Sequence, residues 1–185
     1  MKKIISGKTI YLRSLNINDV DNGWLNWINN EDVTKHMPYI VKKKRKDLID
    51  YFNQNKLPKS KIFAICLLNN NKYIGNARLS SIDKKNGTAS YGWFIGEKTY
   101  WGKGIGTEAL NLLCVYAFEF LKVRKVFSGI MPDNIYSKKS TFRLGATLEG
   151  TWKDHVVVNG KTLDIELISI LKKNFKKKYA RKHWK

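Results

Sequence analysis

The run Tyr100-Trp101-Gly102-Lys103-Gly104-Ile105-Gly106-Thr107-Glu108-Ala109 concentrates the chemistry of this sequence. Its glycines let the backbone approach a ligand with no Cβ in between. A helical pattern opens at Ile105, and the first turn of a helix offers free N–H groups and a partial positive charge. The combination is an anion site suited to phosphate, and Lys103 adds a cation at its mouth. Downstream, Met131-Pro132-Asp133-Asn134-Ile135-Tyr136-Ser137 places an amide, a phenol and a hydroxyl together at the start of a short helical pattern. His155 supplies an imidazole, the side chain suited to proton transfer near neutral pH.

Several phosphate loops compete for the glycine run. The Walker pattern GxxxxGK[ST] is absent. Gly104, Gly106 and Ala109 match the dinucleotide fingerprint literally, but that motif needs a parallel βαβ unit and an acid about 20 residues on. Here the preceding strand belongs to an antiparallel hairpin pattern, and residues 123–131 hold no acid. The pyrophosphate loop of coenzyme A-dependent acyltransferases and a plain glycine-rich turn remain.

The surrounding elements follow from hydrophobic period and turn residues. Residues 10–13 read as a strand. Asn16 or Asn18 caps a helix carrying Val20, Trp24, Trp27 and Ile28, which ends in an Asn29–Asp32 loop. A second amphipathic segment carries Leu48, Ile49, Tyr51 and Phe52. Residues 62–68, 73–82 and 88–96 form an antiparallel meander, its last turn at Asn86-Gly87. A helix then places Ile105, Ala109, Leu112, Leu113, Tyr116 and Phe120 on one face. Residues 126–131 read as a strand. A short helix from Pro132-Asp133-Asn134 ends near Gly145. Residues 148–158 and 161–171 form a hairpin about Asn159-Gly160. The order is that of an α+β domain with a mixed sheet.

The loop, the Asn134-x-x-Ser137 pair and the segment Phe142-Arg143-Leu144-Gly145-Ala146-Thr147-Leu148-Glu149-Gly150 together resemble the GNAT superfamily of N-acetyltransferases, RimJ/RimL-type branch. Leu12-Arg13-Ser14-Leu15 and Asn30-Glu31-Asp32-Val33-Thr34 fit that branch's opening, and residues 155–164 fit its final hairpin. The resemblance covers roughly residues 8–172 and departs where the family's Gly-Phe is Gly145-Ala146 and where a hairpin glutamate of some members is Val156.

The resemblance implies a mainly antiparallel sheet, flanked by helices, with a V-shaped splay between two parallel strands, 91–96 and 126–131. It implies acetyl-CoA in that splay, held by the backbone of Trp101, Gly102, Lys103, Gly104, Ile105, Gly106 and Thr107, by a strand amide near Phe94 or Ile95, and by Asn134. A primary amine attacks the thioester directly. Ser137 is the leading acid for the departing thiolate and Tyr136 the next; His155 is the base, with Glu97, Asp154 and Glu166 as alternatives. Glu108 is expected to satisfy N–H groups of its own helix.

Composition sets the remaining bounds. The chain has 185 residues, 35 Lys+Arg against 15 Asp+Glu and a net charge of +20. That suits one domain and, with 8 Phe, 6 Trp and 9 Tyr, excludes wholesale disorder. Cys66 and Cys114 sit in apolar runs and read as buried free thiols. No cluster has metal-ligand spacing. No apolar run approaches the roughly 20 residues that span a bilayer, and no signal-peptide pattern opens the chain, so the expected location is cytoplasmic. A domain over 1–172 is followed by a basic tail, 173–185, read mainly as a solvated end, with Phe175, Tyr179 and Trp184 among its lysines.

The charge favours an anionic partner. Three acceptor readings stay open. One is an amino-sugar nucleotide or related metabolite. Another is a protein N-terminus of the ribosomal type, and the third a nucleic-acid-binding module on a degenerate acetyltransferase fold. A homodimer is compatible with each.

Overall fold

The computed structural model describes residues 2–37, 42–158, 160–178 and 180–183. Asn159 of the expected hairpin turn, and Tyr179 and Trp184 of the tail, lie outside the described residues.

One nine-stranded sheet organises the chain, in the order β7-β8-β6-β5-β4-β3-β2-β1-β9. Its centre is the expected meander: β3 (Lys61–Leu67), β4 (Tyr73–Asp83) and β5 (Thr88–Ile95), each antiparallel to its predecessor. β2 (Ile10–Ser14) pairs with β3, and β1 (Lys3–Ser6) extends the edge. β6 (Lys125–Ile130) lies parallel to β5 and antiparallel to β8 (Lys161–Leu171), which pairs in turn with β7 (Thr147–Val158). The fold is the expected α+β arrangement of mainly antiparallel strands with one parallel pair.

Two faces of this sheet are covered. On one, α4 (Ile105–Val115) buries Ile105, Ala109, Leu112 and Leu113 against Phe63, Ile65, Leu79 and Tyr91. Its last turn widens into a π-helical segment, Tyr116–Phe120, which leaves Phe120 40% exposed rather than in the core. On the other face, Trp24, Trp27, Ile28, Val33 and Leu48 pack over Tyr11, Ile62, Ala64 and Cys66. Burial raises the thiol pKa of both Cys66 and Cys114.

The N-terminal helical region departs from the expected single helix. Asn16 caps a 3-10 turn, Ile17–Asp19, accepting the Asn18 N–H at 3.0 Å. A π-helical segment follows, Val20–Trp24, interrupted at Asn22 and Gly23, before α1 (Leu25–Ile28). Gly23 adopts φ +134, and a Cβ there would meet the Trp27 ring at 2.7 Å. The backbone breaks so that Trp27 can pack beneath it. Asn29–Asp32 is not simply a loop either, because Asn30 accepts the Asp32 N–H at 3.1 Å and starts α2 (Glu31–Thr34). α3 (Arg45–Gln54) carries Leu48, Tyr51 and Phe52 as expected.

The tail is not a solvated end over its described residues. Phe175 packs on Phe118 with ring centroids 5.2 Å apart. β9 (Arg181–Lys182) adds to β1, antiparallel. Residues 173–178 and 180–183 thereby lie against the body formed by the rest of the chain.

Candidate active site

β5 and β6 pair only at Thr88↔Lys125, Ala89↔Val126 and Ser90↔Phe127. Beyond that point β5 follows β4 to Ile95 and β6 follows β8 to Ile130, so the two strands diverge. Backbone groups along the open edges need other partners. Trp101 already serves one of them: its indole N–H donates to the Ile95 carbonyl at 2.7 Å. Gly96 N–H instead turns to β4, donating to Ile74 at 2.8 Å. Strand alternation therefore aims the Ile95 amide into the opening and the Phe94 amide towards β4.

The glycine loop closes the end of this splay. Gly102 and Gly104 have φ +74 and +77, and a Cβ at either would meet nothing within 4 Å. Glycine is thus required there by backbone conformation, and the space beside both residues is free for a ligand. Gly104 caps α4, so the first-turn N–H groups of Ile105, Gly106 and Thr107 are aimed at that space. Lys103 leans over the Tyr100 ring, 5.7 Å from its centroid. The cations lining the cleft are Lys35 and Arg143 instead, residues the sequence reading did not single out.

α5 (Ile135–Phe142) forms the facing wall. The Asn134 side-chain Oδ1 accepts the Ser137 N–H at 3.2 Å, capping the helix. That fixes both residues at the cleft, and the Thr107 and Ser140 hydroxyls, 2.9 Å apart, tie α5 to α4. Tyr136 stands 82% exposed at the rim. The whole cleft, about 410 Å³, includes Phe94, Ile95, Trp101, Asn134, Tyr136 and Ser137 in its lining.

The structure adds a residue and withdraws one. His36, just past α2, lines the cleft, its buried Nδ1 3.4 Å from an Asp133 carboxylate oxygen but without a hydrogen-bond partner among the described residues. Asp32 on the same wall pairs with Lys98, which holds its carboxyl below the usual range. His155 lies exposed on β7 with its ring 4.4 Å from that of Trp152, and lines neither this cleft nor the cavity beside it. The bulge between Trp152 and Val156 turns it outwards, while Val156 is buried in a small apolar cluster.

The alternative bases are engaged elsewhere: Glu97 with Lys72 at 2.7 Å, Asp154 with the Thr162 hydroxyl at 2.8 Å, Glu166 with Lys138 at 2.8 Å. Glu108 does not serve its own helix. It accepts the N–H groups of Thr9 and Ile10 at 2.8 and 3.2 Å, fastening α4 to the first hairpin.

A second cavity, about 460 Å³, meets the cleft at Met37, Trp93 and Phe94. Its walls carry Trp24 and Tyr51, packed edge to face at 6.0 Å, with Arg78, Lys43, Asp47 and Asn76. The Arg78 guanidinium donates to the Tyr51 hydroxyl. Trp24 therefore forms cavity wall, whereas Trp27 packs in the core, its ring 4.7 Å from Tyr73.

Residues 9–147 match the family described as the acetyltransferase (GNAT) domain. The chain belongs to the GNAT acetyltransferase family. This acetyltransferase is 30% identical over 176 residues to Probable N-acetyltransferase YjcK of Bacillus subtilis, across 91% of this chain and 97% of that protein. Over 98 residues, 52% of this chain and 50% of the other, it is 32% identical to the ribosomal protein uS5-alanine N-acetyltransferase of Escherichia coli. The solved spermidine N-acetyltransferase of Vibrio cholerae, in complex with CoA and spermine, superposes with TM-score 0.82 at 20% identity, over 89% of this acetyltransferase and 96% of that chain. Among the described residues, no helix of the acetyltransferase is long and apolar enough to cross a membrane.

Proposed function

We propose that this acetyltransferase moves the acetyl group of acetyl-CoA onto a primary amine of a small anionic acceptor, an amino-sugar nucleotide or related metabolite. The observation that carries the acceptor class is the second cavity. It opens onto the splay at Trp93 and Phe94, and it combines flat aromatic walls with the cations Arg78 and Lys43. Aromatic faces stack planar groups, and guanidinium pairs with phosphate or carboxylate. A net charge of +20 opposes a polycationic acceptor.

Acetyl-CoA supplies the acyl group and leaves as the thiol. The open strand edges take its amide-bearing arm in the manner of an added strand. N–H groups of residues 102–107 hold the pyrophosphate. The Ile95 amide faces the thioester oxygen, where charge develops. His36, beside Asp133, accepts the proton of the incoming ammonium, since only the free amine has a lone pair. As the C–N bond forms and the C–S bond breaks, the Ser137 hydroxyl protonates the thiolate and regains a proton from the amine nitrogen. Asn134 orients the coenzyme, and Tyr136 stands beside it as the second donor.

Thiol release from acetyl-CoA, followed over a panel of amines, tests the reading. The panel pairs uridine diphosphate amino sugars with alanine- and serine-initiated peptides and spermidine. Turnover on the amino-sugar nucleotides, reduced by Arg78→Ala chiefly through KM, is the expected result. Turnover confined to the peptides would replace it with a protein N-terminus as acceptor, the reading favoured by the likeness to the uS5 enzyme.

A further inference from the structure

Residues 172–178 and 180–183 cross the side of α4 that faces away from the sheet. Lys172 N–H donates to the Arg124 carbonyl at 2.9 Å, and Lys176 N–H to that of Leu144 at 3.0 Å. Lys178 N–H donates to the Asn111 side chain on α4 at 2.8 Å. Lys177 and Lys182 clamp Glu119 from both sides, at 2.8 and 2.7 Å. The His183 ring lies 2.8 Å from the Ser6 hydroxyl, and β9 pairs with β1. After a 3-10 turn at Lys172–Asn174, the chain is a strap fixed at successive points.

That fixing decides where the charges go. Phe175 and Ala180 turn towards the core, and Lys172, Lys173, Lys176, Lys178 and Arg181 stand exposed. Among the described residues, the ion pairs of the strap use one acid, Glu119, and Lys177 and Lys182 occupy it. The remaining cations lie outside the lining of the cleft and of the cavity.

We propose that this strap is a docking face for the phosphate backbone of RNA. A fixed row of unpaired cations on an already ordered backbone suits a polyanion, and binding incurs little ordering cost. A membrane surface fits less well. Interfacial binding relies on apolar groups that insert, typically from an amphipathic helix, and here Phe175 is directed inwards. The face lets the enzyme hold RNA while both cavities stay open.

The test uses the full chain and a fluorescein-labelled 20-nucleotide single-stranded RNA, titrated from 50 to 300 mM salt. Five phosphate contacts at roughly 0.7 each give a log–log salt slope of about −3.5. Substituting Lys172, Lys173, Lys176, Lys178 and Arg181 by Gln is expected to weaken binding at least 10-fold and flatten the slope. A control carrying Gln at Lys42, Lys46, Lys59, Lys84 and Lys85 has the same net charge and is expected to lose less than 3-fold.

Equal losses in both variants would overturn the proposal, since only the overall charge would then matter. So would tighter binding to phosphatidylserine vesicles than to RNA, or no RNA binding at 50 mM salt. A double variant, Lys176→Gln with Lys178→Gln, gives an intermediate loss and serves if the five-fold variant does not fold.

Discussion

The Trp101 indole nitrogen reaches back 2.7 Å to the carbonyl oxygen of Ile95, joining the glycine loop to the strand edge from which it departs. The bond spends one of the edge's free acceptors and sets the distance between loop and splay. Trp101→Phe keeps the ring and removes the donor. We expect KM for acetyl-CoA to rise about 10-fold, the scale of one lost hydrogen bond, with kcat changed less. Steady-state kinetics at saturating acceptor separate the two.

Gly104 is the position where a single side chain should empty the cleft. At φ +77 with open space beside it, a Gly104→Glu substitution adds strain and sets a carboxylate against the pyrophosphate. Calorimetry should show acetyl-CoA affinity reduced at least 100-fold, with thermal stability lowered only modestly. Unaltered affinity would place the coenzyme elsewhere.

Substitution tests the role of His36. Asp133 lies beside its ring, and Asp32, Lys35 and Tyr136 line the same cleft. His36→Gln should lower kcat at least 100-fold, while coenzyme affinity, read by calorimetry, stays the same. Asp133→Asn should lower kcat by less than His36→Gln does. A His155→Gln variant should keep the wild-type kcat.

Arg13 and Asp19 are both nearly inaccessible and form a two-point pair at 2.6 and 2.7 Å. Asp19 also accepts the Asn16 N–H at 2.7 Å and so holds the start of the N-terminal helices. Removing one partner leaves a buried charge alone. Asp19→Ala should cost about 3–5 kcal/mol, readable as a lower urea midpoint. The double variant Arg13→Met, Asp19→Leu should recover much of that loss.

Glu119 makes the strap pH-sensitive. Hydrogen bonds from Lys177 and Lys182 hold its carboxyl below the ordinary value. A carboxyl with a depressed folded-state pKa stabilises docking above its unfolded value and loses that contribution as pH falls through the folded one. Amide hydrogen exchange at Lys178 and His183, taken relative to the intrinsic rate, should therefore accelerate as pH falls below the ordinary carboxylate range. At neutral pH, Glu119→Gln should accelerate it likewise.

Local signals made the meander, the loop, α4 and α5 readable. A continuous apolar run marked β3, polar turns bounded β4 and β5, Asn86-Gly87 marked the turn between those two, and Asn134 capped α5 where expected. Long-range contacts decided the rest. Nothing local marks β1 or β9, since two short strands gain their pairing only from each other and from β2. Phe118, outside the apolar stripe read from the sequence, is buried because Phe175 of the strap packs on it. His36 was overlooked because it lies far from the Gly-loop and from Asn134 along the chain. Only the fold sets it beside Asp133. His155 was chosen for its place on a hairpin whose bulge could not be read from residue types.

Met37, Trp93 and Phe94 border both cavities, yet most of the other walls come from separate stretches of chain. The glycine-loop side of the cleft is built from residues 93–107 and 134–143, and residues 32–37 complete it. The second cavity is built largely from residues 24–51 and 62–78. Substitutions in those stretches, away from residues 32–37, can therefore remodel the second cavity without touching the glycine loop. Two proteins sharing the glycine-loop side provide little information about each other's acceptors.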